Sequence, residues 1–211
     1  MPNSKGKQEQ LWRGGFGNAY TDRNTVADDK LRALTKHWAR IMRATEGAPP
    51  QSILEVGANI GLNLRALRRL TGATFIALEP NAKARQHLVA DGVVGAEWAL
   101  DGLGNAIPLG PDAVDMAFTS GVLIHVHPDD LLATCMELHR VSSRYIACIE
   151  YFSDKSEEIY YRGETEALFK RDFGSFYLDT FPDLRVVDYG FTWKRVSGLD
   201  NLTWWLFEKR A

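Results

Sequence analysis

Along this 211-residue chain the apolar positions keep three different rhythms. Residues 1 to about 8 are polar and are expected to be disordered. "LWRGGFGNAYTDRN" follows, aromatic and glycine-rich, with Arg13 and Arg23 interleaved, and it is too short and broken to form a core of its own. Next, Leu31, Leu34, Trp38 and Ile41 recur at helical spacing. Asn24 or Thr25 is placed to cap that helix, and Asp28 and Asp29 fall in its first turn, where negative charge complements the helix dipole. "EGAPPQS" ends the helix.

From residue 53 the rhythm changes to short apolar runs alternating with helical segments. "SILEV", "TFIALE", "GAEWAL", "VDMAFTS" and "YIACIEYF" read as five buried strands. "LNLRALRRL", "KARQHLVADG" and "PDDLLATCMELHRV" read as helices, the last with Leu131, Cys135, Leu138 and Val141 facing inward. Strands alternating with helices predict parallel βαβ units and an α/β fold whose sheet is covered on both faces. The third rhythm is C-terminal. "LRVVDYGFTW" and "LTWWLFEKR", joined by the turn-rich "KRVSGLDN", predict an antiparallel hairpin at the end of the sheet. The expected organisation is therefore an N-terminal segment and cap helix over residues 1–48 and a core over 49–211. A polar, aromatic insert at about 153–182 is expected on the substrate side.

In open α/β sheets, ligands bind beyond the carboxyl ends of the strands, where strand order reverses. The first strand runs into Gly57-Ala58-Asn59-Ile60-Gly61, whose glycines allow a tight turn and close approach to a ligand at a helix N-terminus. The second ends at Glu79, followed by Pro80 and Asn81. An acid at that place can accept hydrogen bonds from both hydroxyls of a ribose. The third ends near Asp101, which can accept an adenine amino proton. The fourth ends at Ser120 and Gly121, with His125 just beyond the next turn and His127 immediately before a helix, in a capping position. Neither histidine has partners at metal-ligand spacing, so no metal site is expected.

Bulk properties narrow the partners. With a formal net charge of −2 and no basic stripe, neither nucleic acid nor an anionic membrane is an expected partner. Cys135 and Cys148 lie in apolar patterns without a CxxC pair and read as buried, reduced thiols. No apolar run approaches the roughly 20 residues of a membrane span, and "MPNSKGKQEQ" lacks the apolar stretch of a signal peptide. A cytoplasmic protein, monomeric or homodimeric, is expected.

Taken together, the Glu55-to-Gly61 stretch, the acid closing the second strand, and the strand carrying Asp115 before "SGVLIHV" resemble the class I S-adenosylmethionine-dependent methyltransferases over about residues 50 to 150. A narrower resemblance spans almost the whole chain. "LWRGGFGNAYTDRN", "GANIGLNLRAL", "GVLIHVHPDDL", "YYRGETEALFKRDFG" and "NLTWWLFEK" are similar to the methyltransferase subgroup associated with pseudaminic acid (nonulosonic sugar) biosynthesis. The resemblance implies a seven-stranded, mostly parallel sheet with an antiparallel C-terminal strand. It implies S-adenosyl-L-methionine as cofactor, S-adenosyl-L-homocysteine as product and a small-molecule methyl acceptor. Gly57, Asn59 and Gly61 would line the methionine and ribose end, with the Asn59 amide donating to the cofactor carboxylate. Glu79 would hold the ribose, Pro80 and Asn81 would lie beside it toward the adenosine, and Asp101 would face adenine. Ser120 and Gly121 would border the methyl-transfer face with His125, the candidate base, and Tyr20 and Arg23 would close over the cofactor. Trp12, Phe16, Tyr20, His125, Tyr151, Tyr160, Tyr161, Arg162, Lys170 and Arg171 are the expected acceptor-side residues.

Three rival readings stand beside this one, two of them with sequence tests. A nicotinamide oxidoreductase calls for Gly-x-Gly-x-x-Gly, but the three places hold Gly57, Asn59 and Leu62. A non-catalytic nucleotide-binding protein would hold the cofactor and transfer nothing. An amino-methylating nucleic-acid enzyme often carries Asn/Asp-Pro-Pro-Tyr, which is absent from the chain. Within the methyltransferase reading, the acceptor is a nonulosonic or nucleotide-linked sugar, or alternatively an aromatic heterocycle or other secondary metabolite methylated on nitrogen or oxygen.

Overall fold

The computed structural model of the chain describes residues 4–161 and 167–210. Three helices come first: α1 (Ser4–Arg13), α2 (Gly15–Arg23) and α3 (Asp28–Arg43). Then β1 (Ser52–Val56), α4 (Leu62–Leu67), β2 (Thr74–Leu78), α5 (Ala82–Ala90), β3 (Ala99–Leu100), β4 (Val114–Ser120), α6 (Pro128–Val141) and β5 (Ser142–Glu150) alternate as the periodicity predicts. The insert holds a short ribbon, β6 (Glu157–Glu158) and β7 (Phe169–Lys170), followed by α7 (Phe173–Thr180). The chain ends with β8 (Leu184–Thr192), α8 (Lys194–Ser197) and β9 (Leu202–Lys209).

The main sheet has seven strands in the order β3-β2-β1-β4-β5-β9-β8. The first five are parallel, and β9 runs antiparallel to both its neighbours. The C-terminal hairpin therefore exists, with its second strand lying inside the sheet and its first at the edge. Successive strand residues are apolar and point to opposite faces. Leu54 and Val56 pack under α6 and α7, whereas Ile53, Met116 and Phe118 pack under α3 and α4. This two-sided burial explains the unbroken apolar runs of the central strands.

Four sequence expectations need correcting. Residues 4–8 are helical, as the first turns of α1, because α1 has a surface to dock on. The third strand shrinks to Ala99–Leu100, since Ala96–Trp98 make a 3-10 turn and only two residues pair with β2. α3 is capped by neither Asn24 nor Thr25. It begins at Asp28 after Ala27 with no side-chain cap, and Asn24 is occupied elsewhere. The C-terminal part of the insert belongs to the core, with Phe173 and Tyr177 of α7 fully buried beside Phe181. Both cysteines are buried and unbonded to each other, as read. Among the described residues no helix is long and apolar enough to cross a membrane.

At the end of the sheet remote from the strand tips discussed next, Asp115 ties β4 to β1. Its Oδ2 accepts from the N–H groups of Gln51 (2.7 Å) and Ser52 (3.1 Å), and its own N–H donates to Ser52 Oγ at 2.9 Å. Asp115→Ala leaves those donors without an acceptor and should lower the unfolding free energy by about 1–2 kcal/mol, read from urea denaturation.

Candidate functional site

Strand order reverses between β1 and β4, and the turn after β1 opens there. Gly57 (φ 74), Asn59 (φ 47) and Gly61 (φ 73) all take left-handed backbone angles. Glycine adopts these freely, and asparagine tolerates them better than other residues. Gly57 and Ala58 donate to Leu78 O at 2.7 and 3.2 Å, locking the turn against β2. Glu79 then binds two turns at once. Its Oε2 accepts from Asn59 N at 2.7 Å and its Oε1 from Asn81 N at 2.8 Å. Burial raises the Glu79 pKa, opposed by those two backbone donors and by Arg85 and Arg13.

α1 and α2 cover this floor. Every few residues α2 offers a polar group to it. Asn81 Nδ2 donates to Asn18 Oδ1 (2.9 Å) and to Trp12 O (3.0 Å). Asn59 Nδ2 donates to Thr21 Oγ1 (3.3 Å), Asn24 Nδ2 donates to Asn59 Oδ1 (3.4 Å), and Lys83 pairs with Asp22. A Cβ on Gly17 would stand 1.8 Å from Trp12 O and 2.8 Å from Asn81 Nδ2, so only glycine permits this approach. Asn59 thus has its side chain engaged with α2, with Oδ1 also accepting from Ile60 N at 2.9 Å, and is not an uncommitted donor. Asn81 caps α5, accepting from Ala84 N at 3.0 Å, as well as docking the lid.

Beyond β4, Ser120 and Gly121 lead into a 3-10 turn, Leu123–His125. Glu150, at the end of β5, holds that turn by accepting from the N–H groups of Val122 (3.1 Å), Leu123 (3.0 Å) and Ile124 (3.4 Å). Burial raises Glu150 to about 7 against those donors. His125 Nδ1 lies 2.6 Å from Ala167 O, and a carbonyl can only accept, so Nδ1 carries the proton and Nε2 the lone pair. Burial lowers the His125 pKa, which keeps the ring neutral near pH 7. Its ring centroid stands 5.0 Å from Trp12 and 5.2 Å from Tyr161. His127 caps α6, its Nδ1 accepting from Asp129 N at 3.3 Å.

These elements enclose a cavity of about 680 Å³. Of the sequence-expected residues, Gly57, Asn59, Gly121, Ser120, Glu79, Pro80, Asn81, Tyr20, Arg23, Trp12, His125, Tyr151 and Tyr161 line it. Gly61 lies just behind, as the residue before α4. Asp101 is drawn outward instead, with its Oδ1 accepting from Arg13 (2.7 Å) and Arg85 (3.1 Å), and Gly102 to Asn105 make that wall. Phe16 packs edge-on against Trp12, Lys170 sits over the Tyr151 ring, Arg171 sits over Phe176, and Tyr160 is exposed. None of these four is in the wall. Arg162 lies outside the described residues.

The wall also contains residues that the sequence did not single out. Lys30, Leu34 and His37 come from one face of α3, Glu55 from β1, Asn63 from α4, and Lys194, Leu199 and Asp200 from the β8–β9 connection. Helical spacing of Lys30, Leu34 and His37 was the available signal, but it resembles an ordinary apolar stripe. Glu55 is fully buried. Its Oε1 accepts from Asn63 Nδ2 at 2.7 Å, whereas Oε2 has no partner. Burial pushes Glu55 up to about 8, opposed chiefly by the Asn63 hydrogen bond. Burial lowers His37 to about 4. Its Nδ1 lies 3.0 Å from Thr192 Oγ1, and its Nε2 is likewise unsatisfied. Among the described residues no group of three His, Cys, Asp or Glu side chains gathers as a metal site.

No family model matches the chain, and no curated protein does. Solved structures do match. A S-adenosylmethionine-dependent methyltransferase of Leishmania major is 19% identical, with a TM-score of 0.72 over 96% of this chain and 82% of that one. The 1,6-didemethyltoxoflavin-N1-methyltransferase of Burkholderia thailandensis, solved with its acceptor and S-adenosylhomocysteine bound, is 17% identical, with a TM-score of 0.71 over 98% and 90%. A S-adenosylmethionine-dependent methyltransferase of Aquifex aeolicus is 18% identical, with a TM-score of 0.58 over 88% and 100%. The chain has the class I methyltransferase fold.

Two outcomes follow from the site's construction. The native state holds the Glu55 and Glu150 carboxyls above their unfolded range. From about pH 4.5 to 8 these carboxyls bind more protons in the native state, but below about pH 6.5 the lowered pKa values of His37 and His125 oppose them, so the net fall in stability with rising pH lies between about pH 6.5 and 8. Glu55→Gln should flatten the fall between about pH 6.5 and 8.5, with a gain over the parent on the order of 2–4 kcal/mol at the upper end, measured by urea denaturation. Asn81→Ala should loosen the lid. Hydrogen exchange of residues 4–24 should quicken while β4 and β5 stay protected, and losing the α5 cap should itself cost about 1 kcal/mol.

Proposed function

We propose that this protein transfers a methyl group from S-adenosyl-L-methionine to a small-molecule acceptor by in-line displacement. The observation that carries this reading is Glu79, a buried acid tied to the Gly57–Gly61 turn, at the strand-order reversal of a methyltransferase fold. The residues present fit the cofactor. Glu79 would take the ribose hydroxyls. Glu55, with one buried oxygen unsatisfied, suits an ammonium group, and Arg23, which has no carboxylate partner among the described residues, suits a carboxylate. Pro80 and the Gly102–Asn105 wall would flank the adenine. Asp101, held by Arg13 and Arg85 through its Oδ1, lies outside the cavity wall.

When bound, the cofactor supplies an electrophilic methyl group on a sulfonium with a neutral leaving group. The protein's own part is alignment and exclusion of water. Trp12, Tyr20, Tyr151 and Tyr161 offer flat apolar faces to an acceptor. Neutral His125 presents Nε2 to take a proton from a hydroxyl or protonated amine, because Ala167 O fixes its other nitrogen as the donor. For the acceptor we favour a nonulosonic or nucleotide-linked sugar, on the sequence resemblance described above. A second reading, an aromatic heterocycle, is favoured by the aromatic wall and by the toxoflavin methyltransferase neighbour. We read the enzyme as acting in small-molecule biosynthesis in the cytoplasm, as a monomer or homodimer.

Calorimetric titration should show S-adenosylhomocysteine binding and no NADH binding. The reverse result would sink this reading in favour of an oxidoreductase. Binding with no label transfer to any member of a broad acceptor panel would favour a non-catalytic protein. His125→Gln should lower kcat by about 10²–10⁴-fold while leaving S-adenosylhomocysteine affinity unchanged. Because burial holds His125 below its usual pKa, the parent's kcat should stay level near neutral pH and fall only on acidification below about 6.5.

A further inference from the structure

Glu150 is fully buried at the carboxyl end of β5, and it is not part of the cavity wall. A carboxyl placed there costs free energy that an apolar residue would not. Its hydrogen bonds show what it serves. It accepts from three consecutive backbone N–H groups of one turn, Val122 (3.1 Å) and Leu123 (3.0 Å) on Oε1 and Ile124 (3.4 Å) on Oε2. The turn runs straight into His125, whose own N–H donates to Val122 O at 2.8 Å, and the N–H of Val126 donates to Leu123 O at 3.1 Å. The His125 backbone therefore hangs from the residues that Glu150 gathers.

Two further contacts tie this turn to the cavity. The His125 ring is fixed by Ala167 O, 2.6 Å from Nδ1, so backbone and ring are held from different elements. On the cofactor side, a Cβ on Gly57 would stand 2.6 Å from Val122 Cγ2, so the Val122 side chain lies directly over that glycine. One buried carboxyl thus fixes both the residue that packs on the glycine turn and the approach to the residue that offers the lone pair. Charge is not what the arrangement requires. Burial raises Glu150 to about 7, so near neutral pH part of the population is already uncharged. The two shorter contacts share Oε1, which leaves Oε2 to carry the proton.

We propose that Glu150 is a positioning residue for methyl transfer: by gathering the N–H groups of residues 122–124, it holds His125 Nε2 in register with the glycine turn. The inference rests on the methyltransferase reading of the cavity and on His125 as its base. Reach carries the role. A glutamine keeps the length of the side chain, and its amide oxygen can replace Oε1 before Val122 and Leu123. An aspartate is one methylene shorter and withdraws both oxygens by about 1.5 Å, beyond hydrogen-bond range of the turn.

The test compares Glu150→Asp and Glu150→Gln with the parent, alone and in a His125→Gln background, each first checked for native melting and for S-adenosylhomocysteine binding. The first readout needs no acceptor. Nitrogen NMR of labelled histidine, with S-adenosylhomocysteine bound, should show the His125 proton on Nδ1 in the parent and in Glu150→Gln, and a mixture of tautomers in Glu150→Asp. The second uses the member of an acceptor panel that the parent labels fastest. Glu150→Asp should lower kcat at least about tenfold and move KM less than about threefold, whereas Glu150→Gln should keep kcat within about threefold. In the His125→Gln background the aspartate should cost less than about twofold, because its effect passes through the missing ring. A third readout uses the parent alone and stands even where the aspartate variant does not fold: the amides of Val122 and Leu123 should exchange at least about 100-fold more slowly than exposed loop amides. Unprotected amides there would overturn the proposal. So would a Glu150→Asp variant with the parent's ring signature and kcat, or an equal loss of kcat with and without His125. Failure of the parent to bind S-adenosylhomocysteine removes the methyltransferase reading, and a fully active His125→Gln removes the base. Each takes the proposal with it, and each is seen before the Glu150 variants are compared.

Discussion

Glu79 places an ionisable carboxyl where almost no water reaches it, and the site is organised around meeting that constraint. A buried carboxylate left without donors would protonate or disrupt its surroundings. Here each oxygen takes one backbone N–H, from Asn59 after β1 and from Asn81 after β2. The two turns therefore sit in fixed relation at the strand-order reversal. Asn59 can then hold its left-handed backbone angle, Asn81 can cap α5, and both side chains are aimed outward to receive α2.

The lid depends on the floor in turn. α1 and α2 have weak amphipathic character and bury little of their own, with Gly17 and Thr21 the buried residues of α2. Specific polar contacts hold them: Asn18 with Asn81, Thr21 and Asn24 with Asn59, and Arg13 with Asp101 and Pro80 O. Residues that would hold a cofactor thus also hold the cover, and occupancy of one bears directly on the other. Glu150 repeats the device on the far side of the cavity. A buried acid gathers three N–H groups of the turn that carries His125. Glu55 differs, since one of its oxygens remains unsatisfied, and an unpaired buried polar atom beside a cavity is what a missing ligand group would leave.

Legibility along the sequence followed the range of the interactions involved. β1, β4 and α6 fall within the bounds their apolar rhythm predicted, because two-sided burial writes itself into consecutive residues. The glycine turn and Glu79 were readable because a left-handed backbone and a strand-end acid have few other uses in that order. β3 was overread, since "GAEWAL" has the composition of a strand but only two of its residues find a partner to pair with. Asp101 was read by its place after β3, yet Arg13, 88 residues away, turns its carboxylate outward. Lys170 and Arg171 were read as acceptor-side cations from their place in the insert, whereas they sit over the rings of Tyr151 and Phe176, and the cations in the wall are Arg23, Lys30 and Lys194.

By itself the sequence determined the parallel α/β core, the glycine turn after β1 and the acid that closes β2, since each rests on local periodicity or on backbone angles that few residues tolerate. Tertiary structure alone decided which charges face the cavity. It laid α2 across Asn59 and Asn81, joined Asp101 to Arg13, and gave His125 its proton arrangement through Ala167 O. Those outcomes depend on side chains far apart in sequence meeting at hydrogen-bond range, and pairwise distance across a fold is not encoded in the order of neighbouring residues.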